Sequence, residues 1–111
     1  MDKELWQLNL ARYDELVAQC VDFKRLGKTM PYTSTNGYMF SLLNKDAELG
    51  IRFSKDVQES YMQEFNTTYY RSYGAVMKGY ILIPEALFST PDRIVELLKE
   101  SHAYVMSLEP K

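Results

Sequence analysis

Apolar residues recur along this chain at two spacings, and the changes between them divide it into elements. At the start, Leu5, Leu8, Arg12, Leu16 and Val17 fall near one helical face, with Tyr13, Cys20 and Val21 close to it. Steps of three and four predict an amphipathic helix to about Gln19. Asp2, Lys3 and Glu4 supply its first turn, and Asn9 marks a point where it could break. Val21, Phe23 and Arg25 then alternate as a short strand would, up to Gly27.

The middle of the chain changes to a period of two. Pro31 cannot donate to a ladder and biases Met30 toward extended geometry. The tract from Thr33 to Gly37 reads as a turn, because Asn-Gly is the strongest short hairpin signal. Tyr38 to Leu43 is rich in strand formers, Asn44 to Ala47 makes a polar turn, and Leu49, Ile51 and Phe53 alternate with Gly50 and Arg52. Two or three antiparallel strands follow.

Helical spacing returns after Ser54, a good N-cap, with Val57, Tyr61, Met62 and Phe65 on the dry side and Asn66 at the end. The segment TTYYRSYG reads as a tyrosine-rich connection closed by Gly74. VMKGYILI is a strand, with Met77, Ile81 and Ile83 on one face and Lys78, Tyr80 and Leu82 on the other. Pro84 stops it, and Pro84 to Phe88 forms one helical turn. Thr90 and Pro91 open a last helix whose stripe is Ile94, Leu97, Leu98, Ser101, Val105 and Leu108, closed by Pro110. This order predicts an α+β fold: a single compact domain over residues 1–111, with a curved antiparallel sheet and helices packed on one side.

Composition narrows the function. The chain has 111 residues, 46% of them apolar and 25% charged, which is ordinary for a globular domain and argues against disorder. Thirteen basic residues against fifteen acidic ones, net −2, make a strongly basic nucleic-acid binder or a polybasic membrane-surface protein a poor fit. We therefore expect no direct specific nucleic acid binding and no membrane association. The N-terminus has no apolar core of a secretory signal, and no run approaches the roughly 20 apolar residues of a transmembrane helix. The cytoplasm is the expected compartment, which suits a single unpaired cysteine, Cys20.

Candidate chemistry is sparse. His102, the only histidine, has Ser101 beside it in a helix, where neighbours do not face each other, and Cys20 has no local base. There is no glycine-rich phosphate loop, and the carboxylates fall on wet helix faces or in turns. The expectation is a non-enzymatic protein with no catalytic residue, no metal site and no cofactor. Nine tyrosines are unusual; Tyr61, Tyr69, Tyr70, Tyr73 and Tyr80 could line a groove or dimer interface, or close the edge of the core. One constellation stands out. Strand alternation sends Arg52, Lys78 and Tyr80 to the sheet face away from the helices, Lys28 could join them, and Gly50 and Gly79 leave a shallow concavity between them. Such a set can hold a carboxylate or phosphate; a solvated face with cross-strand charges is the plainer reading.

The runs TMPYTSTNGYMFSLL (29–43), LGIRFS (49–54), YGAVMKGYILIPEAL (73–87) and SHAYVMSLEPK (101–111), in that order, resemble the TfoX N-terminal domain-like family, related in fold to the YjbR type. The resemblance covers about residues 13–111 and implies a compact α+β domain. The founding members are regulators of bacterial competence that carry a further C-terminal domain, which is not expected here. The family's Met-Phe-Gly is here Met39-Phe40-Ser41, and Gly79 stands where an acidic residue is usual. No catalytic residue carries over. The expected role is a module that binds a protein partner or associates with itself, the alternatives being an accessory transcription or competence-type regulator acting through a protein partner, or a small-anion binding module.

Overall fold

The computed structural model describes residues 3–111; Asp2, expected in the first helical turn, lies outside them. Helix α1 (Lys3–Ala18) runs without a break. It buries Asn9, Tyr13, Leu16 and Val17, whereas Leu5 and Leu8 are 42% and 49% exposed and Val21 is 95% exposed. The buried stripe is therefore rotated from the expected one. Two polar contacts set the rotation: Asn9 Nδ2 donates to the Ala47 carbonyl at 2.7 Å, and the Tyr13 hydroxyl meets that of Ser41. Asn9, read as a weak point, is an anchor.

The Val21–Arg25 strand does not form. The segment is a loop, and only Leu26 pairs with Tyr32 as an isolated antiparallel bridge. Gly27, at φ +79°, turns the chain sharply; a Cβ there would lie 2.7 Å from the Met30 carbonyl. Strands β1 (Tyr32–Thr35) and β2 (Tyr38–Leu43) form a hairpin closed by Asn36 and Gly37, both left-handed at φ 57° and 85°, as its two-residue turn requires. Thr33 to Thr35 are strand, so the turn is shorter than the polar tract suggests.

β3 (Leu49–Arg52) leads through the Ser54 cap, whose Oγ accepts from Val57 N at 3.4 Å, into α2 (Lys55–Glu64). The tyrosine-rich connection is a strand, β4 (Tyr69–Ser72). It joins β5 (Ala75–Leu82) through Tyr73 and Gly74, again both left-handed. A short 3-10 turn (Glu85–Ser89) precedes α3 (Pro91–Met106). The five strands lie in the order β1-β2-β3-β5-β4, all antiparallel, in an unclosed sheet. The α+β class is as expected, and α1, α2 and α3 pack against one sheet face.

That face carries the main core. Phe40, Leu43, Leu49, Ile51, Phe53, Ile81 and Ile83 meet Tyr13, Leu16 and Val17 of α1 and Ile94, Leu97, Leu98 and Val105 of α3. The second face is not the open polar surface that alternation suggests. Leu42, Tyr70 and Tyr80 form a second apolar cluster there, rimmed by Met30, Tyr32, Met39, Met77 and Leu82. β4 curls back over it: the Tyr70 hydroxyl reaches the Leu42 and Glu48 carbonyls at 3.0 and 2.9 Å, and Asn44 Nδ2 donates to the Arg71 carbonyl at 2.9 Å.

Irregularities in the ladder permit this curl. Thr33 faces Ser41 but Ser34 faces Met39, so Phe40 is the extra residue of a bulge and shares the helix side with Ser41. On β5 the pairing with β4 slips between Ile81 and Val76, around Gly79 at φ +88°. That slip moves Met77 into the second cluster, not onto the face of Ile81 and Ile83.

Candidate functional site

The four residues singled out from sequence do not converge. Arg52 and Lys78 line one cleft of about 520 Å³, within the range of small-molecule sites, between the start of α2, the irregular part of β5 and Tyr104 of α3. Tyr80 pairs with Arg52 across the strands but is buried. Its ring stacks on Tyr70 at 6.0 Å and its hydroxyl donates to the Met39 carbonyl at 2.8 Å. Burial pushes the Tyr80 phenol well above its usual range. It belongs to the second core. Lys28 lies in the loop before β1, beside a separate groove.

Arg52 does not point straight off the second face. At the end of β3 its guanidinium rests against Tyr38 and Tyr104, 5.5 and 5.8 Å from the ring centroids, and both rings pack on the helix-side core. An arginine held between aromatic faces keeps its donors in a fixed plane. Gly79 makes room for it: a Cβ at that position would approach the Phe53 carbonyl to 3.1 Å and Arg52 Cγ to 3.3 Å. Gly50, expected to open the surface, does the reverse, because the Tyr70 ring fills the space over it.

Lys55, from the first turn of α2, joins Arg52 and Lys78 in the lining, with Gln58, Tyr69 and one carboxylate, Glu59. Among the described residues none of the three cations forms an ion pair, whereas Arg12, Arg25 and Arg93 all do. Lys55 went unnoticed in the sequence although a local signal exists. A lysine directly after an N-cap opposes the helix dipole, so its place there has no local benefit. Tyr104 carries no such signal; only the packing of α3 over β3 brings it to Arg52.

The residues weighed as catalytic are engaged in packing. His102 lies between Phe23 and Phe40, with centroids 5.1 and 5.7 Å away. The buried Cys20 thiol donates weakly to the Leu16 carbonyl at 3.7 Å, and burial raises its pKa. What the cleft offers is a cationic, aromatic-walled recess suited to a carboxylate or phosphate. Among the described residues no helix is long and apolar enough to cross a membrane. No family model matches the chain, and no curated protein matches it.

Proposed function

We propose that this chain is a non-enzymatic binding domain whose Arg52–Lys55–Lys78 cleft receives an acidic segment of a protein partner. The observation that carries this reading is the Arg52 guanidinium, held between two tyrosine rings beside two lysines, with no carboxylate partner among the described residues. A charge so placed is desolvated on two sides and has most to gain from an incoming carboxylate. Exposed Tyr69 at the mouth adds the amphipathic contact area typical of protein interfaces. The packing roles of His102 and Cys20 support a binding role over catalysis. The same reading places the chain with the TfoX N-terminal domain-like proteins, supported by the order of hairpin, third strand, helix, YGAVMKGYILI strand and final helix.

The test compares the wild-type chain with Lys78→Glu and Arg52→Ala in quantitative pull-downs from the native host. Lys78 is exposed, so its replacement should leave stability within about 0.5 kcal/mol. The expected result is a protein captured by the wild type, lost with either variant and released by added salt. Identical captured sets for all three chains would overturn the reading.

A further inference from the structure

A second basic groove lies away from this cleft and shares none of the described residues with it. It encloses about 590 Å³ among the start of α1, the loop before β1 and the turn between β2 and β3. Its apolar surfaces are Trp6, which packs on the helix-side core, and Met30, which packs on the second cluster. Lys3, Lys28 and Lys45 stand around them, each from a different segment, and among the described residues no carboxylate is in the lining. Three cations with no acid among the described lining residues are notable in a chain of net −2. Among the described residues none of the three is in an ion pair.

The segments are tied to one another independently of the lysines. Asn9 joins α1 to the β2–β3 turn through the Ala47 carbonyl at 2.7 Å. Asn44 Oδ1 accepts from the amides of Asp46 and Glu48, at 3.0 and 2.9 Å, and shapes the turn that presents Lys45. Leu43 N donates to the Pro31 carbonyl at 2.8 Å, and Arg25 links Asp14 at 2.7 Å to the Gly27 carbonyl, holding the Lys28 loop against α1. The groove is thus built before any ligand arrives, which lowers the ordering cost of binding.

We propose that this groove binds a small organic anion: an apolar ring or chain seated on Trp6 and Met30, with its phosphate or carboxylate among Lys3, Lys28 and Lys45. Trp6 is the only tryptophan, so its indole N–H gives a single resolved proton–nitrogen NMR signal at the floor of the groove. The uniformly labelled chain is titrated with 1-naphthyl phosphate, 1-naphthoate, neutral 1-naphthol and inorganic phosphate. Saturable shifts of the indole signal and of the Met30 and Lys45 amides are expected with the two naphthyl anions. Naphthol and inorganic phosphate should each bind about tenfold more weakly, since one lacks three solvated lysine contacts of a few-fold each and the other lacks the apolar body. Lys28→Gln combined with Lys45→Gln, both at exposed positions, should weaken the naphthyl anions about fivefold and leave naphthol unchanged. Lys78→Glu should change none of these titrations, which separates this groove from the protein-binding cleft. Absence of shifts with both anions, or equal binding of naphthol, would overturn the proposal.

Discussion

At the scale of single residues, Gly50 and Gly74 are needed for different reasons. Gly50 sits in β3 with ordinary strand geometry, and a methyl group there would overlap the Tyr70 ring. Gly74 has nothing within 4 Å of where a Cβ would be, but its φ is +76°. Gly50→Ala should therefore cost about 1–3 kcal/mol through overpacking against a fully buried tyrosine. Gly74→Ala should cost about 1 kcal/mol through backbone strain alone. Urea unfolding of the two variants measures the difference, and Gly74→Ala proving the more damaging would contradict the packing on the second sheet face. Alternation correctly places Leu49, Ile51 and Phe53 inward. It does not show what Gly50 is for, because the ring that fills its space comes from β4, twenty residues later.

At the scale of elements, the β1–β2 turn does more than reverse the chain. Asn36 Nδ2 donates to the Val105 and Leu108 carbonyls, each at 2.9 Å, and so closes the C-terminal end of α3. Lys111 N donates to the Asn36 carbonyl at 3.2 Å, and the Tyr38 hydroxyl donates to the Glu109 carbonyl at 2.7 Å. Asn36→Gly keeps the left-handed turn but loses the two side-chain bonds, so it should cost about 1–2 kcal/mol. Asn36→Ala should cost about 1 kcal/mol more, because alanine is strained at φ 57°. Equal stability of wild type and Asn36→Gly, by chemical denaturation, would show the strap to be idle. The turn itself is legible from Asn-Gly; its hold on α3 is not, since the partners are 69 and 72 residues away. The bulge at Phe40 is equally silent in sequence, yet it puts Phe40 and Ser41 on one face and Leu42 on the other.

At the scale of the whole molecule, a five-stranded sheet carries apolar clusters on both faces, and buried tyrosines tie them to the strands, Tyr70 and Tyr80 through backbone carbonyls and Tyr13 through the Ser41 hydroxyl. Tyr13, Tyr70 and Tyr80 are all buried, and burial raises each phenol well above its ordinary value of about 10. In the folded state these phenols keep their protons above pH 10, whereas the unfolded chain releases them. The unfolded state then binds fewer protons, so stability is intact below about pH 9 and falls as pH rises beyond 10. The slope is about 1.4 kcal/mol per pH unit for each tyrosine. Urea midpoints between pH 8 and 11.5 should show this loss, and Tyr70→Phe, which cannot ionise, should make the decline shallower. A midpoint independent of pH across that range would mean that the phenols ionise freely in the fold.

What the sequence by itself determined is local: two amphipathic helices at the ends, a capped third between β3 and β4, an Asn-Gly hairpin, and alternating strands that bury Ile51 and Ile81. These follow from periodicity and turn chemistry, which act over a few residues. Only the tertiary structure decided the rotation of α1 about Asn9 and Tyr13, the bulges that exchange sheet faces, and the curl of β4 that buries Tyr80. The same long-range packing parted the four candidate residues, leaving Arg52 with Lys78 and Lys55 in one cleft and Lys28 with Trp6 in another. A one-residue bulge reverses every side chain beyond it, and no pattern within a strand records whether a distant ring will cover its outer face.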